Sequence, residues 1–251
     1  MPKITAIIQA RVGSTRLPGK VMKDLCGKTV LAQVVARVGR AERLDNIVVA
    51  TTTEGRDDVV AAEAAGLGVD CFRGSETDVL DRYYKAAMLS GADIVVRITS
   101  DCPLYDGRLL DEMLAVYDPT ACDYLSNSIE RTYPRGLDTE VFSFAALAKA
   151  HAEATEDYEH EHVTPYFYRH PDRFRLKNHA QAKNFSHLRW TLDTPEDWAF
   201  IAAVYDRLYP GNPNFATADI LRLLEREPGL VAINADVRQK ELPDTAVPAT
   251  P

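Results

Sequence analysis

Ile4-Thr5-Ala6-Ile7-Ile8-Gln9 runs straight into Ala10-Arg11-Val12-Gly13-Ser14-Thr15-Arg16-Leu17-Pro18-Gly19-Lys20. The first six residues are apolar and β-rich and read as a strand. From Gln9 to Lys20, three cations and two glycines fall within twelve residues of an acidic chain. Open α/β folds bind ligands at loops that leave the carboxyl ends of strands. Glycines there let backbone N–H groups approach phosphate oxygens, and Arg and Lys neutralise them. The segment therefore reads as a phosphate cradle, with a solvated basic turn as the plainer reading. It is not a Walker A loop: five residues separate Gly13 from Gly19, and Val21 replaces the Ser or Thr that would hold magnesium.

Outward from this loop the same rhythm repeats. Val30, Leu31, Val34, Val35 and Val38 mark one face of a helix, Ile47 to Ala50 a strand, Asp57 to Ala65 a helix and Val69 to Phe72 a strand. Val79, Leu80, Tyr83, Tyr84, Ala87 and Met88 recur at helical spacing, followed by the strand Ile94 to Ile98 and a helix around Leu109 to Leu114. Four β-then-α units predict an α/β fold with a mostly parallel central sheet and helices on both faces. After Pro119 the rhythm breaks. Asp123 to Ser126 and Thr139 to Phe142 look like strands joined by a Pro-Arg-Gly turn, and residues 120–170 read as a small β excursion from the sheet. A helix from Phe144 to Ala154, strands at Arg173 to Leu176 and Leu188 to Leu192, and a helix from Thr194 complete the reading. In that last helix Thr194 is the N-cap, Pro195 the first helical residue, and Trp198, Ile201, Ala202, Tyr205 and Leu208 the apolar face.

With 251 residues, 37 acidic and 29 basic, the chain carries a formal charge of −8, which excludes a general nucleic-acid binder. At 46% hydrophobic and 26% charged it is of globular composition, and one domain over residues 1–240 with a flexible tail at 241–251 is expected. No apolar run reaches the roughly 18 residues a bilayer needs, so a cytoplasmic protein with no membrane partner is expected. Cys26, Cys71, Cys102 and Cys122 form no Cys-x-x-Cys pair and read as reduced core thiols.

Two further motifs follow predicted strands. Arg97-Ile98-Thr99-Ser100-Asp101-Cys102-Pro103-Leu104 places an acid just past a strand end, where magnesium takes one or two carboxylates plus phosphate oxygens; an Asx turn or helix cap is the alternative. Arg189-Trp190-Thr191-Leu192-Asp193-Thr194-Pro195-Glu196-Asp197 ends in the same fashion, with Asp193 a second metal ligand or an ordinary acid before a helix.

Together with Gly136-Leu137-Asp138-Thr139-Glu140-Val141-Phe142, these segments resemble the cytidylyltransferases related to the spore-coat polysaccharide protein SpsF, cousins of the CMP-Kdo and CMP-sialate synthetases. The resemblance covers Pro2 to about Leu208. It implies a nucleotide-sugar transferase type of fold, CTP as co-substrate with Mg²⁺, and a homodimer built on the 120–170 excursion. Carried over position by position, it puts Arg11, Arg16 and Lys20 on the CTP phosphates and Asp101 with Asp193 on magnesium. The nucleotide-binding set extends to Gln9, Ala10, Gly13, Ser14, Arg97 and Ser100. Such equipment suits nucleotidyl transfer, in which an acceptor hydroxyl attacks the α-phosphorus of CTP and pyrophosphate leaves.

A small anionic acceptor of the sugar-acid kind needs a cation, and Arg135 is the candidate clamp, with Asp138, Glu140 and His162 as further acceptor residues. A turn or a cross-strand ion pair would equally account for Arg135, Asp138 and Glu140. Glu159-His160-Glu161-His162 lacks a third ligand at zinc spacing. Two other functions fit less of the sequence. A glycosyltransferase would call for an Asp-x-Asp pair that only Asp138-Thr139-Glu140 approaches, and a non-catalytic nucleotide-binding subunit would leave the intact cations and acids without work.

Overall fold

The expected alternation is realised in a computed structural model, which describes residues 1–239. Strands β1 (Ile4–Gln9), β2 (Asn46–Thr52), β3 (Asp70–Gly74) and β4 (Ile94–Thr99) alternate with helices α1 (Val30–Val38), α2 (Asp58–Gly66), α3 (Val79–Ser90) and α4 (Gly107–Val116). Then come β5 (Tyr124–Ser126), β6 (Glu140–Ser143), α5 (Phe144–Glu153), α6 (Asp157–His162), α7 (Pro165–Tyr168), β7 (Leu176–Asn178), α8 (Pro195–Leu208) and α9 (Thr217–Arg226). The sheet order is β3-β2-β1-β4-β6-β5-β7. The first four strands are parallel, β6 runs antiparallel to both β4 and β5, and β7 is parallel to β5, so β6 alone is reversed.

The local causes are those of the sequence. Thr29 caps α1 by accepting from the Ala32 amide at 2.9 Å, and Val30, Leu31, Val34, Val35 and Val38 are buried against the sheet. Thr194 and Asp197 form a capping box that starts α8 at Pro195. Helices cover both faces, giving two apolar clusters: one centred on α1, α4 and α8, the other on α3, α5 and α7.

Several expectations are corrected. Residues 120–170 do not leave the sheet, because β6 pairs with the free edge of β4 and carries β5 and β7 with it. Leu188 to Leu192 is not a strand. It lies against the 134–136 turn and the Asp101 loop, where it finds one isolated bridge, Arg135 with Arg189, and no strand edge to extend. The seventh strand lies at Leu176–Asn178, beyond the expected Arg173 to Leu176. The His-rich stretch folds into α6 and α7, and α9 buries Ile220, Leu223 and Leu224. Of the cysteines, Cys102 and Cys122 are buried, but Cys26 is only partly so and Cys71 is exposed on edge strand β3. Trp190 is buried, whereas Trp198 is half-buried under the Lys23 ammonium. The 241–251 tail lies outside the described residues.

Candidate active site

Gln9 and Thr99 are register partners at the carboxyl ends of β1 and β4, so the basic loop and the Asp101 loop leave the sheet side by side. The Ser100 amide donates to the Gln9 carbonyl at 3.1 Å and the Ala10 amide to the Ala50 carbonyl at 3.1 Å. Asp57, fully buried, anchors the loop by accepting from the Val12 amide at 2.6 Å and from the Thr52 hydroxyl. Ser14 turns inward on its own loop, its hydroxyl accepting from the Leu17 amide at 3.4 Å. Gly19 sits at φ 68°, in the left-handed region, and passes the chain into a 3₁₀ turn over Lys20–Met22. Gly13 has no positive φ, so its backbone conformation does not demand glycine.

That turn drives Lys20 inward. Its ammonium spends all three protons: on Asp101 Oδ2 at 2.9 Å, on Asp193 Oδ1 at 2.9 Å and on the Leu192 carbonyl at 2.7 Å. Burial pulls the Lys20 pKa down, but Asp101 and Asp193 outweigh it and hold the group above its ordinary range. Burial likewise pushes the Asp101 carboxyl up, and Lys20 with the Thr99 hydroxyl brings it below the usual carboxylate range. Asp193 also faces Arg16 Nη2 at 3.1 Å and Arg189 Nη2 at 2.9 Å. Lys20, expected on the triphosphate, is paired here with the two carboxylates.

Asp101 and Asp193 are brought together without a strand beneath Asp193, because the Leu192 amide donates to the Asp101 carbonyl at 2.8 Å. Their donor set fits a hard divalent cation, since both carboxylates already converge on one cationic nitrogen. Among the described residues no group of three or more His, Cys, Asp or Glu is suited to a metal. Two carboxylates are thus the protein's contribution, leaving other positions to phosphate and water. Arg11 reaches the rim, paired with Glu76 at 3.2 Å. The Gln9 side-chain carbonyl is buried with no donor among the described residues.

The remaining candidates separate into two cavities. Arg97, Asp138, Glu140 and His162 line the first, with Thr99, Ser128 and Tyr168. Arg97, expected at the nucleotide, points here from β4 because its register partner is Glu140, with which it forms a buried ion pair. Glu140 also accepts from the Tyr124 hydroxyl, so both its oxygens are engaged and it is not free to bind acceptor hydroxyls. Asp138 is held by Arg131. Arg135 lines a different cavity, beside Arg189, which removes it as a clamp in the first. His160 and His162 are two positions apart on helix α6 and diverge: His160 Nδ1 meets Asp78 at 3.1 Å while His162 faces the cavity.

Sequence reasoning missed the support beneath Asp193. Asp197, fully buried, accepts from Arg189 Nε at 2.8 Å, from the Asp193 and Thr194 amides at 3.0 and 3.1 Å, and from Asn234 Nδ2 at 2.9 Å. The capping-box spacing from Thr194 to Asp197 was the only local signal for it; Asn234 had none.

Comparison with known proteins agrees with the resemblance. A family model described as cytidylyltransferase matches residues 5–212. The spore coat polysaccharide biosynthesis protein SpsF of Bacillus subtilis is 35% identical, over 91% of this chain and 96% of that protein. A 3-deoxy-manno-octulosonate cytidylyltransferase of Geobacter sulfurreducens is 38% identical over 45% of this chain and 44% of its own. The solved structure of a cytidylyltransferase from Leptospira borgpetersenii superposes with a TM-score of 0.89 at 32% identity, covering 96% of this chain and all of that one. The chain belongs to the cytidylyltransferase family and is a CTP-dependent nucleotidyltransferase.

Proposed function

We propose that this cytidylyltransferase moves CMP from CTP to a hydroxyl of a small anionic acceptor, of the sugar-acid kind, with Mg²⁺, in cytoplasmic steps of surface polysaccharide or glycoconjugate synthesis. The observation that carries the reading is the meeting of loop cations Arg16 and Lys20 with Asp101 and Asp193 beyond the carboxyl ends of the neighbouring strands β1 and β4. Asp101 and Asp193 would hold the metal, which neutralises charge on the phosphates when bound.

The chain's own residues do the positioning. Arg11 and Arg16, both at the rim and each paired with a carboxylate, exchange those partners for phosphate oxygens. Gln9, Ala10, Gly13, Ser14 and Ser100 form the wall against which the nucleotide lies. Lys20 keeps the two acids at one point and balances their charge. The acceptor enters the cavity of Thr99, Ser128, Asp138 and His162, and Arg97 supplies its cation, because Arg97 Nε is buried there with no partner among the described residues. The new bond joins the acceptor oxygen to the α-phosphorus; the bond to the β-phosphate bridge breaks, and pyrophosphate departs. A homodimer joined through residues 120–170 belongs to the same reading, supported by Ile129, which leaves 41% of its surface exposed on that segment.

Glycosyl transfer is disfavoured because Asp138 and Glu140 are held by different arginines, Arg131 and Arg97, and do not converge on one group as Asp101 and Asp193 do. The test is incubation with each nucleoside triphosphate, Mg²⁺ and a panel of sugar acids and neutral sugars. Pyrophosphate release with CTP and an acid acceptor is expected. Pyrophosphate from all four triphosphates alike removes the CTP assignment, and release with neutral sugars only removes the anionic acceptor.

A further inference from the structure

Arg135 and Arg189 stand side by side for a backbone reason. The Arg135 amide donates to the Leu188 carbonyl at 3.0 Å and the Trp190 amide to the Arg135 carbonyl at 2.6 Å, making a parallel bridge that sets both side chains on one face. The approach is so close that a Cβ on Gly136, at φ 108°, would lie 2.6 Å from the Thr191 nitrogen. Only glycine permits it. Both arginines line a cavity with Ser186, His187, Trp190, Phe200 and Gln239.

Neither guanidinium is fully spent. Arg189 gives Nε and Nη2 to Asp197 and Asp193, but its Nη1 meets only the neutral Gln239 Oε1, at 2.7 Å. The Arg135 guanidinium donates to no acceptor among the described residues, although the residue is partly buried. Burial, and then the charges of Arg131 and Arg189, lower its pKa from the ordinary guanidinium value. The nearby acids do not serve it: Asp138 is bidentate with Arg131, and Asp193 holds Lys20, Arg16 and Arg189. Arg189 is balanced by Asp193 and Asp197 on its other nitrogens, whereas the Arg135 guanidinium has no paired carboxylate among the described residues.

We propose that Arg135 and Arg189 Nη1 form a second oxyanion site, separate from the triphosphate loop, that takes a phosphate or carboxylate group against the wall of Trp190 and Phe200. None of Arg11, Arg16, Lys20 or Asp101 lines this cavity. An anion there would relieve the repulsion between the two guanidiniums, and it would sit one residue's reach from Asp193 through Arg189.

The test follows the indole N–H signal of Trp190 by NMR in the full chain, with Trp198→Phe leaving a single tryptophan. Inorganic phosphate and acetate are the two probes. A saturable shift with either is expected, phosphate alone naming a phosphate-type ligand and acetate alone a carboxylate. Arg135→Gln should weaken it by about tenfold or more with the melting temperature held, and Arg135→Lys should keep part of it. Arg16→Ala, which disables the loop, should keep the full response. An unsaturable shift, an unchanged affinity in Arg135→Gln, or loss of the response in Arg16→Ala overturns the site, whatever the outcome of the pyrophosphate assay.

Discussion

Replacing Lys20 by Met tests the centre of the site. Met fills a similar volume and deletes the ammonium, whose side chain is only 11% exposed. Three partners are left behind, and they fare differently. Asp193 keeps Arg16 at 3.1 Å and Arg189 at 2.9 Å, so it remains compensated. Asp101 keeps the Thr99 hydroxyl at 2.6 Å and loses its one cation, and the Leu192 carbonyl loses its donor. Removing one partner of a buried ion pair costs about 3–5 kcal/mol; with Asp193 compensated and Asp101 a quarter exposed, the low end applies, about 3 kcal/mol. For a chain of this size that corresponds to a fall in Tm of about 6–12 °C.

The sign with pH is fixed by two opposite shifts. Asp101 is held below its ordinary 3.8, so its pairing stabilises above that value and is lost as pH falls through the lowered folded-state pKa. Lys20 is held above 10.5, so its contribution is complete below that value and is lost as pH rises through the raised folded-state pKa. The gap between wild type and Lys20→Met should therefore be widest between those limits and close at both ends. In the variant, Mg²⁺ held by Asp101 and Asp193 should restore part of the Tm. Thermal melts across pH, with and without Mg²⁺, check all three statements. An unchanged Tm, or a gap that ignores pH, would refute the account of Lys20 as counter-ion to the acid pair.

Arg16→Ala should lower kcat/KM by about 2–4 kcal/mol of transition-state stabilisation with the fold intact, read from steady-state kinetics. Asp101→Asn and Asp193→Asn should each nearly abolish turnover, and the double variant should cost little more. Relief of like charges would leave stability nearly unchanged in both, but the structure reverses that expectation for Asp193: with three cations around it, Asp193→Asn should melt lower than Asp101→Asn. Gly136→Ala, which forces a Cβ against the Trp190–Thr191 backbone at positive φ, should cost about 2–4 kcal/mol in urea denaturation. Burial lowers the His160 pKa, but Asp78 and the Ala154 carbonyl raise it above 6.5. Its latch between α6 and α3 is thus complete below pH 6.5 and lost as pH rises through the raised value, so amide exchange in 157–162 should quicken on that rise, and not in His160→Gln.

Period and composition alone determined the alternating first half of this protein, the basic loop after β1 and the cap at Thr194, because each depends on residues within a turn or two of one another. Asp101 and Asp193 could be suspected for the same reason, as acids at the ends of apolar runs. What joins them was not local. The Leu192–Asp101 hydrogen bond, the inward turn at Gly19 and the Asp197 support each link segments far apart in the chain, so no spacing announces them. Arg97 shows the limit most directly: its place in the sequence puts it beside the nucleotide motif, but the period of two along β4 turns it away from Ser100's neighbourhood and toward Glu140 on the reversed strand β6. The pairing that makes β6 antiparallel, and so decides which cavity receives Arg97 and which receives Arg135, is a property of the closed sheet edge. Only tertiary structure could supply it.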